Sequence, residues 1–137
     1  MTSTESIQAI DSLSAHEFQV EVGGEVASGI FGVSGLHSFS MDDGEPVLHP
    51  VTITKMVQQD PNLPFNKWTR ETISKLGDKV TRKVAVVAMD EGTETRRWVI
   101  EEAWIVDIQF SDFDTGSDAL VEERITLYHN GVNEIWP

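Results

Sequence analysis

The sequence predicts a mainly β protein with one helix (α+β), an antiparallel β-sandwich or barrel of about six or seven strands with the helix packed on its side. Three observations predict this class. Most of the chain consists of short segments in which apolar and polar residues alternate, as they do in half-buried strands. One stretch has helical spacing instead, and glycine-containing turns separate several of the strand segments. A chain of 137 residues fits one domain. We assign it to residues 17–137, with a flexible N-terminal arm at residues 1–16.

The beginning of the chain changes from a polar arm to strands. Residues 1–16 are rich in Ser and Thr, and we expect them to be mobile or to become ordered only against a partner. Residues 18–22 alternate apolar and polar side chains before a Gly-Gly turn, which predicts the first strand. A second strand is predicted at residues 30–39. Its closely spaced glycines indicate a bulge or a close backbone approach.

The segment SMDDGEPVLHP, residues 40–50, is predicted to be a long loop because turn-forming residues dominate it. The loop also contains apolar side chains that have no local core to join. We therefore expect it to be mobile in an isolated subunit and to contact another subunit in an assembly. The residues expected at that contact are Met41, Asp42, Asp43, Val47 and Leu48.

A third strand is predicted at residues 51–57, and a helix follows it. Asp60 or Asn62 is expected to cap the helix, Pro64 suits its first turn, and Gly77 is expected to end it. The apolar residues of this segment recur at helical spacing and are expected to form one stripe that packs in the core. The stripe comprises Phe65, Trp68, Ile73 and Leu76.

Two long strands, at residues 80–89 and 95–110, are predicted to form a hairpin through DEGTE, and a last strand is predicted at residues 119–129. Glu102 falls in phase with the apolar face of the second long strand. We expect a bulge at Glu101 and Glu102 that turns both acids outward, because burying a charge would cost more. Five carboxylates lie between Trp98 and Asp114, and all are expected on solvated faces: Glu101, Glu102, Asp107, Asp112 and Asp114.

Composition excludes several classes of function. The chain has 10 Lys and Arg against 23 Asp and Glu, a formal charge of −13, and this balance argues against a protein that grips a phosphate backbone. It contains no cysteine, which excludes disulfides and thiolate chemistry. No apolar run approaches the roughly 20 residues that a membrane helix needs. The N-terminus lacks the features of a signal peptide, so we expect synthesis and assembly in the cytoplasm.

The sequence predicts no catalytic, cofactor or metal site, and therefore no enzyme. It shows no nucleophile elbow, phosphate loop or dinucleotide fingerprint, and no paired general acid and base. The nearest approach to a calcium loop is SDFDTGSD, residues 111–118, which lacks the distal glutamate and is interpreted as an acidic turn. A zinc site would require the fold to bring together scattered histidines. These are His16, His37, His49 and His129.

Five stretches between about residue 18 and residue 132 form an ordered set of motifs. They are FQVEVGGEVASGIFGVSGL, VTITKM, LPFNKWTRETI, VTRKVAVVAMDEGTETRRWVIEEAW and LVEERITLYHNGV. Each motif is loose by itself, and the specificity lies in their order and spacing. Together they resemble the tail tube protein family of contractile phage tails, the T4-type tail tube. Members of this family also form the inner tubes of phage-tail-like contractile injection systems.

The resemblance implies a structural protein that forms hexameric rings, with the inner strands of six subunits joined into one barrel and the rings stacked into a tube. The implied partners are further copies of the chain, the sheath and baseplate proteins of the particle, and DNA or protein cargo that passes without tight binding. The loop at residues 40–50 and the N-terminal arm would then make ring-to-ring contacts. Polar alternation on the closing strands suggests an acidic lumen lined by Glu101, Asp107, Glu122 and Arg124.

Alternatives remain open at this point. A monomeric β-barrel binding module without enzymatic activity has the same pattern of strands. Within the tube interpretation, the sequence does not separate a phage tail from a protein-injecting particle. It also does not separate the main tube subunit from a tube-initiating or terminal ring.

Overall fold

A computed structural model describes residues 11–136, and this part of the chain contains ten strands and one helix. The predicted class, mainly antiparallel β with one helix, is confirmed. None of the described helical residues forms a helix long and apolar enough to cross a membrane. The elements are β1 Phe18–Val22, β2 Glu25–Ala27, β3 Ile30–Ser34, β4 Met41–Asp42, β5 Glu45–Pro46, β6 Val51–Met56, α1 Pro64–Ser74, β7 Arg82–Asp90, β8 Thr93–Phe110, β9 Glu122–Tyr128 and β10 Val132–Ile135.

Eight strands form one antiparallel sheet in which the order is β2-β1-β7-β8-β9-β6-β3, with β10 also paired to β8. The sheet is not closed, and its two ends, β2 and β3, are separated in the chain only by Ser28 and Gly29. Strands β4 and β5 form a separate two-stranded hairpin in the loop predicted at residues 40–50. Most of the predicted N-terminal arm, residues 1–10, lies outside the described part of the chain.

Two tight hairpin turns set the pairing of the strands around β7. Strands β7 and β8 are joined by Glu91 and Gly92, whose φ values are 50° and 80°. Positive φ at both central residues is the geometry of a type I′ turn, which matches the twist of the flanking strands. The turn between β1 and β2 at Gly23 and Gly24 has the same character, with φ values of 59° and 87°. The turn chemistry read from the sequence therefore places these hairpins correctly.

Strand β8 contains a bulge at Glu101 and Glu102, as the phase of its apolar residues predicted. Opposite β7 the pairing moves from Ile100 with Val84 to Ala103 with Arg82, so β8 has one extra residue there. Glu102 has a φ of 48°, a conformation that few residues other than glycine adopt. Glu102 is exposed and Glu101 is half-buried. The bulge thus restores the inward phase for Ala103 and Ile105, which are buried.

The core lies on the inner side of the bent sheet and is closed by the first half of helix α1. Trp68 is fully buried, and its Nε1 donates a hydrogen bond to Val80 O at 2.7 Å. Phe65 stacks against it with ring centroids 5.9 Å apart. The cluster includes Val20, Val22, Val51, Ile53, Phe65, Trp68, Val84, Val86, Ile100, Ile105, Ile125 and Leu127.

The predicted helix stripe is correct for Phe65 and Trp68 and wrong for Ile73 and Leu76. Ile73 is 61% exposed and Leu76 is 78% exposed. Ile73 comes five residues after Trp68, about 140° further around the helix, and therefore faces solvent. Leu76 follows the helix, which ends at Ser74. Periodicity identified apolar positions at helical spacing, but the sheet covers only those on the core side of the first two turns.

The helix begins and ends differently from the prediction. Its N-cap is Leu63, with no side-chain capping bond among the described residues, and Pro64 occupies the first turn as expected. Asp60 instead accepts a bond from Asn62 N at 2.9 Å and shapes the preceding turn. Asn66 Nδ2 donates to Asp60 O at 2.8 Å, which ties the helix to that turn. The helix ends at Ser74 with Lys75 as its C-cap, so Gly77, the predicted stop, lies in the turn beyond the helix end with a φ of 101°.

A buried ion pair crosses the core side of β6 and β9. Lys55 and Glu123 face each other in the strand register, and their side chains are 1% and 6% exposed. Lys55 Nζ donates to Glu123 Oε1 at 3.0 Å and to Met56 O at 2.8 Å. Each charge is thus paired, which a buried charge requires. The pair favours this register of β6 against β9, because a shift of two residues would keep both charges on the core side and separate them from each other.

Candidate functional site

The outward side of β3, β6, β9 and β8 is a polar surface built from directly opposed residues. One row runs from Ser34 through Thr52 and Thr126 to Asp107, and the next runs from Gly32 through Thr54 and Arg124 to Gln109. Directly opposed residues project from the same side of a sheet, so these side chains share one face. We call this surface the polar face and define it as Ser34, Thr52, Thr54, Asp107, Gln109, Glu122, Arg124 and Thr126.

Three of the four predicted lumen residues lie on the polar face. Asp107 is exposed, and the side chains of Arg124 and Glu122 are 62% and 42% exposed, with 4.0 Å between Arg124 Nη2 and Glu122 Oε2. Glu101 does not join them. It lies at the bulge beside β10, and its Oε1 accepts a hydrogen bond from Asn133 Nδ2 at 3.1 Å. The assignment of these residues to a lumen stays a prediction.

Strand β8 leaves an open edge along its second half. Up to Ala103, β8 pairs with β7 on one side. On its other side, β8 pairs first with β10 and then with β9. From Trp104 to Phe110 it pairs with β9 alone, so within residues 11–136 the other side of this segment has no strand partner. Val106 and Phe110, on this segment, are 40% and 55% exposed. An open edge with exposed apolar residues is a template for pairing with another chain.

The β4–β5 hairpin is separate from the main sheet and carries the predicted contact residues. Met41 and Leu48 are 54% and 56% exposed, Asp42 and Asp43 are exposed, and Val47 is half-buried. Among the described strands, β4 and β5 pair only with each other. The assignment of these residues to ring-to-ring contacts is a prediction that the single chain does not test.

Histidines fix the base of this hairpin. The rings of His37 and His49 stack with centroids 4.2 Å apart. Gly131 N donates to His129 Nδ1 at 2.9 Å, so His129 carries its proton on Nε2 and donates to His49 O at 2.8 Å. The fold therefore brings together three histidines that are scattered in the sequence. Within residues 11–136, no three His, Asp or Glu side chains are placed to hold a metal ion.

The acidic turn at residues 111–118 is held by its own hydrogen bonds. Asp114 Oδ1 accepts a bond from Gly116 N at 2.9 Å, and Ser117 Oγ accepts one from Ala119 N at 3.1 Å. Asp114 therefore shapes the turn, which agrees with the interpretation of this segment as an acidic turn. Phe113 and Leu120, in the same loop, are 82% and 65% exposed.

One cavity of about 360 Å³ opens between β3 and the first half of β8. Its walls are mainly apolar, and they include Leu13, Phe31 and Trp98. Of the described residues that line it, Glu17 is the one with an ionisable side chain, and its carboxylate accepts a hydrogen bond from Glu91 N at 2.9 Å.

Paired charges cover the outward side of β1, β7 and β8. Arg97 Nη1 donates to Glu21 at 2.7 Å, and Arg97 Nη2 donates to Glu94 at 2.7 Å. The hydrogen bond from Arg97 lowers the pKa of Glu94, and the bonds to Glu94 and Glu21 raise the pKa of Arg97. These three charges pair with one another from β1 across β7 to β8, so their role is structural.

Comparison with known families and structures gives consistent matches. Residues 47–133, more than half of the chain, match the family model described as T4-like virus tail tube protein gp19. Comparison with curated protein sequences gave no significant match.

Among solved structures, the chain is similar to one from the extended sheath–tube complex of the PVC extracellular contractile injection system, with a TM-score of 0.78 and 20% identity over 100% of both chains. It is similar to a chain of the anti-feeding prophage tube-terminating cap, with a TM-score of 0.78 and 18% identity over 96% of this chain and 95% of the other. A chain of the 6-fold symmetrised baseplate of the anti-feeding prophage matches with a TM-score of 0.65 and 16% identity over 94% and 98% of the two chains.

Proposed function

Because the chain belongs to the T4-like virus tail tube protein family and is a structural tube protein, we propose that it forms hexameric rings that stack into the inner tube of a contractile tail or injection particle. The observation that carries this proposal is the end-to-end match with a chain of a sheath–tube complex. Sixfold symmetry is supported by the similar chain in a baseplate structure described as 6-fold symmetrised.

Open strand edges supply the contacts within a ring. The unpaired side of Trp104–Phe110 presents backbone donors and acceptors together with Val106 and Phe110. A neighbouring copy that places one of its own sheet ends, β2 or β3, along this edge would satisfy those groups. Repeating this head-to-tail contact around a rotation axis closes the sheet that a single chain leaves open. The ring would therefore supply the strand partner that this edge lacks in the isolated subunit.

The polar face is suited to the lumen of such a tube. Its threonine hydroxyls keep the wall wet, and among the residues that define the polar face Asp107 and Glu122 outnumber Arg124, so this set carries a net negative charge. An acidic wall repels DNA and acidic proteins, so cargo slides without being held. Glu101 lies off this face, and we do not include it in the proposed lumen.

We assign the contacts between rings to the β4–β5 hairpin and the N-terminal arm. The hairpin is separate from the main sheet and exposes Met41, Asp42, Asp43 and Leu48, which gives it charged and apolar surface for a second subunit. Hydrogen exchange would test this placement, because the hairpin amides should gain protection when rings stack into tubes. Equal protection in the ring and in the tube would contradict it.

The proposed partners are further copies of the chain, the sheath and the baseplate, and the protein has no catalytic role in this scheme. The similar chains come from a sheath–tube complex, a tube-terminating cap and a baseplate. Synthesis and assembly in the bacterial cytoplasm followed by action in a tail or an extracellular particle would fit these partners. A tube-initiating or terminal ring is the second candidate, favoured by the equally good match with the terminating cap.

Particle size tests the proposal against a monomeric binding module. Mass photometry and negative-stain averages of the purified protein should show rings with sixfold symmetry and, at higher concentration, stacked tubes. A terminal-ring protein would form rings that do not elongate. A single species of the 15.3 kDa chain at all salt concentrations would overturn the proposal.

A further inference from the structure

Positive charge is concentrated in one segment of this acidic protein. Six of the ten Lys and Arg residues, but only two of the 23 Asp and Glu residues, fall within residues 67–83. This segment therefore carries a formal charge of +4, and the remainder of the chain carries −17. Subunits with a net charge of −13 repel one another, so a contact between copies is favoured where the sign of the charge is reversed.

The exposed part of this segment combines cations with bare apolar side chains. Lys67, Arg70 and Ile73 are spaced by three residues along the outward side of α1, and all three are exposed. Past the helix end, Lys75 and Lys79 flank Leu76, which is 78% exposed. We call these six residues, Lys67, Arg70, Ile73, Lys75, Leu76 and Lys79, the basic patch.

The basic patch is held in place by contacts within the subunit. Lys75 Nζ bonds to Glu71 at 3.2 Å, and Arg82 forms an ion pair with the other oxygen of the same carboxylate. Lys79 Nζ lies 4.1 Å from the centre of the Trp104 ring. The segment after the helix is therefore fixed against β7 and β8, so little ordering would be needed when a partner binds.

The β4–β5 hairpin has the complementary character. It carries Asp42, Asp43 and Glu45, and no Lys or Arg occurs between residues 37 and 50. Exposed Met41 and Leu48 accompany these acids. The stacked rings of His37 and His49 join the two ends of the hairpin segment, and the acidic residues at its tip are exposed.

We propose that the basic patch of one subunit receives the β4–β5 hairpin of a subunit in the next ring. This inference rests on the proposed tube function and names the surface to which the hairpin binds. Asp42, Asp43 and Glu45 would face the lysines and Arg70, while Met41 and Leu48 would cover Ile73 and Leu76. Charge complementarity of this kind sets the register and the rate of association, and burial of the apolar groups supplies affinity.

The loop at residues 111–121 is the competing acidic element. It has the same formal charge, from Asp112, Asp114 and Asp118, and it also exposes apolar residues. However, it is bound to the end of the sheet, because Ser111 N donates to Glu122 O at 2.9 Å and Glu122 N donates to Ser111 Oγ at 2.8 Å. The hairpin pairs with no other described strand, and its acidic side chains form no hydrogen bond with the described part of the sheet, so it is better placed to contact another ring.

Charge reversal and charge exchange test the proposal in the full-length protein. Lys75→Glu combined with Lys79→Glu should leave single rings intact and raise the protein concentration needed for stacking by about tenfold or more, as expected for the loss of close charge pairs. Adding Asp42→Lys and Glu45→Lys to the same chain should restore stacking. Asp112→Lys with Asp118→Lys, the matched change in the competing loop, should not. Circular dichroism checks folding, and Lys75→Gln with Lys79→Gln gives a milder version if the reversal fails to fold.

Several results would overturn the inference while leaving the proposed function standing. If the Lys75→Glu and Lys79→Glu variant stacks like the wild type, the basic patch does not take part in the ring-to-ring contact. If this variant loses only sheath binding, the basic patch binds an acidic surface of the sheath. Loss of the rings themselves would place the patch within a ring. Restoration by the loop exchange and not by the hairpin exchange would make the loop the occupant. Failure of the wild-type protein to form rings would instead refute the proposed function.

Discussion

The two halves of helix α1 differ sharply although both carry large apolar residues. In the first half, Phe65 and Trp68 are buried in the core, and Trp68 is hydrogen-bonded to Val80 O. At the other end, Ile73 in the last turn and Leu76 just past the helix are exposed, and Lys75 lies between them in the chain. The difference shows that one helical segment serves two levels of structure. Its beginning stabilises the subunit, and its end is available to a partner.

The largest effect is expected from breaking the buried half. Trp68→Ala should lower the free energy of unfolding by about 3–5 kcal/mol, because it leaves a cavity beneath the sheet and removes the bond to Val80 O. Chemical denaturation of the unassembled subunit measures this change. Trp136→Ala is the matched control, since Trp136 is 61% exposed, and it should cost less than about 1 kcal/mol. Equal effects of the two substitutions would contradict the assignment of the first half to the core.

The exposed half should respond in the opposite way. Ile73→Ser combined with Leu76→Ser should change subunit stability by no more than about 0.5 kcal/mol, as surface substitutions usually do. The same variant should form shorter tubes, because it removes the apolar part of the basic patch. Tube length in micrographs and denaturation of the subunit measure the two effects. Val57→Ser, at a residue that is 44% exposed but outside the patch, is the control that should leave tube length unchanged.

The smallest effect is expected from the ion pairs that Glu71, in the last turns of α1, forms with Lys75 and Arg82. Hydrogen bonds from Lys75 and Arg82 lower the pKa of Glu71 below its ordinary value of 4.5. A carboxyl group whose pKa is lowered by folding adds stability above the pKa of the unfolded state, and that stability is lost as the pH falls through the folded-state pKa. Glu71→Gln should therefore be slightly less stable than the wild type at pH 7, and the difference should vanish in acid. Denaturant midpoints at the two pH values check this, and a difference that grows in acid would contradict it.

Much of the fold could be predicted because it depends on local patterns. Alternation located the strands, turn chemistry located the hairpins, and the phase of Glu102 indicated the bulge in β8. The exposure of Ile73 and Leu76 could not be predicted, because periodicity identifies apolar positions without saying whether the same chain or another one covers them. The buried and the exposed apolar residues of this segment therefore look alike in the sequence.

Features that depend on distant pairing escaped the sequence. Lys55 and Glu123 each occupy an inward phase of a strand, and this was the available signal, but their pairing depends on the register of β6 against β9. The contact between His129 and His49 spans 80 residues. Among the predicted lumen residues, Asp107, Glu122 and Arg124 share one face of the sheet, and their assignment to a lumen stays a prediction. Glu101 was separated from them by the bulge that the same sequence predicted.

A sixfold cryo-EM reconstruction of the assembled particle, at a resolution that shows side chains, tests the central claim most directly. The account predicts six subunits per ring, with Asp107, Glu122 and Arg124 facing the lumen. It also predicts that the open edge of Trp104–Phe110 pairs with a neighbouring subunit. A particle in which these three side chains lie on the outer wall, or in which that edge remains unpaired, would contradict the account.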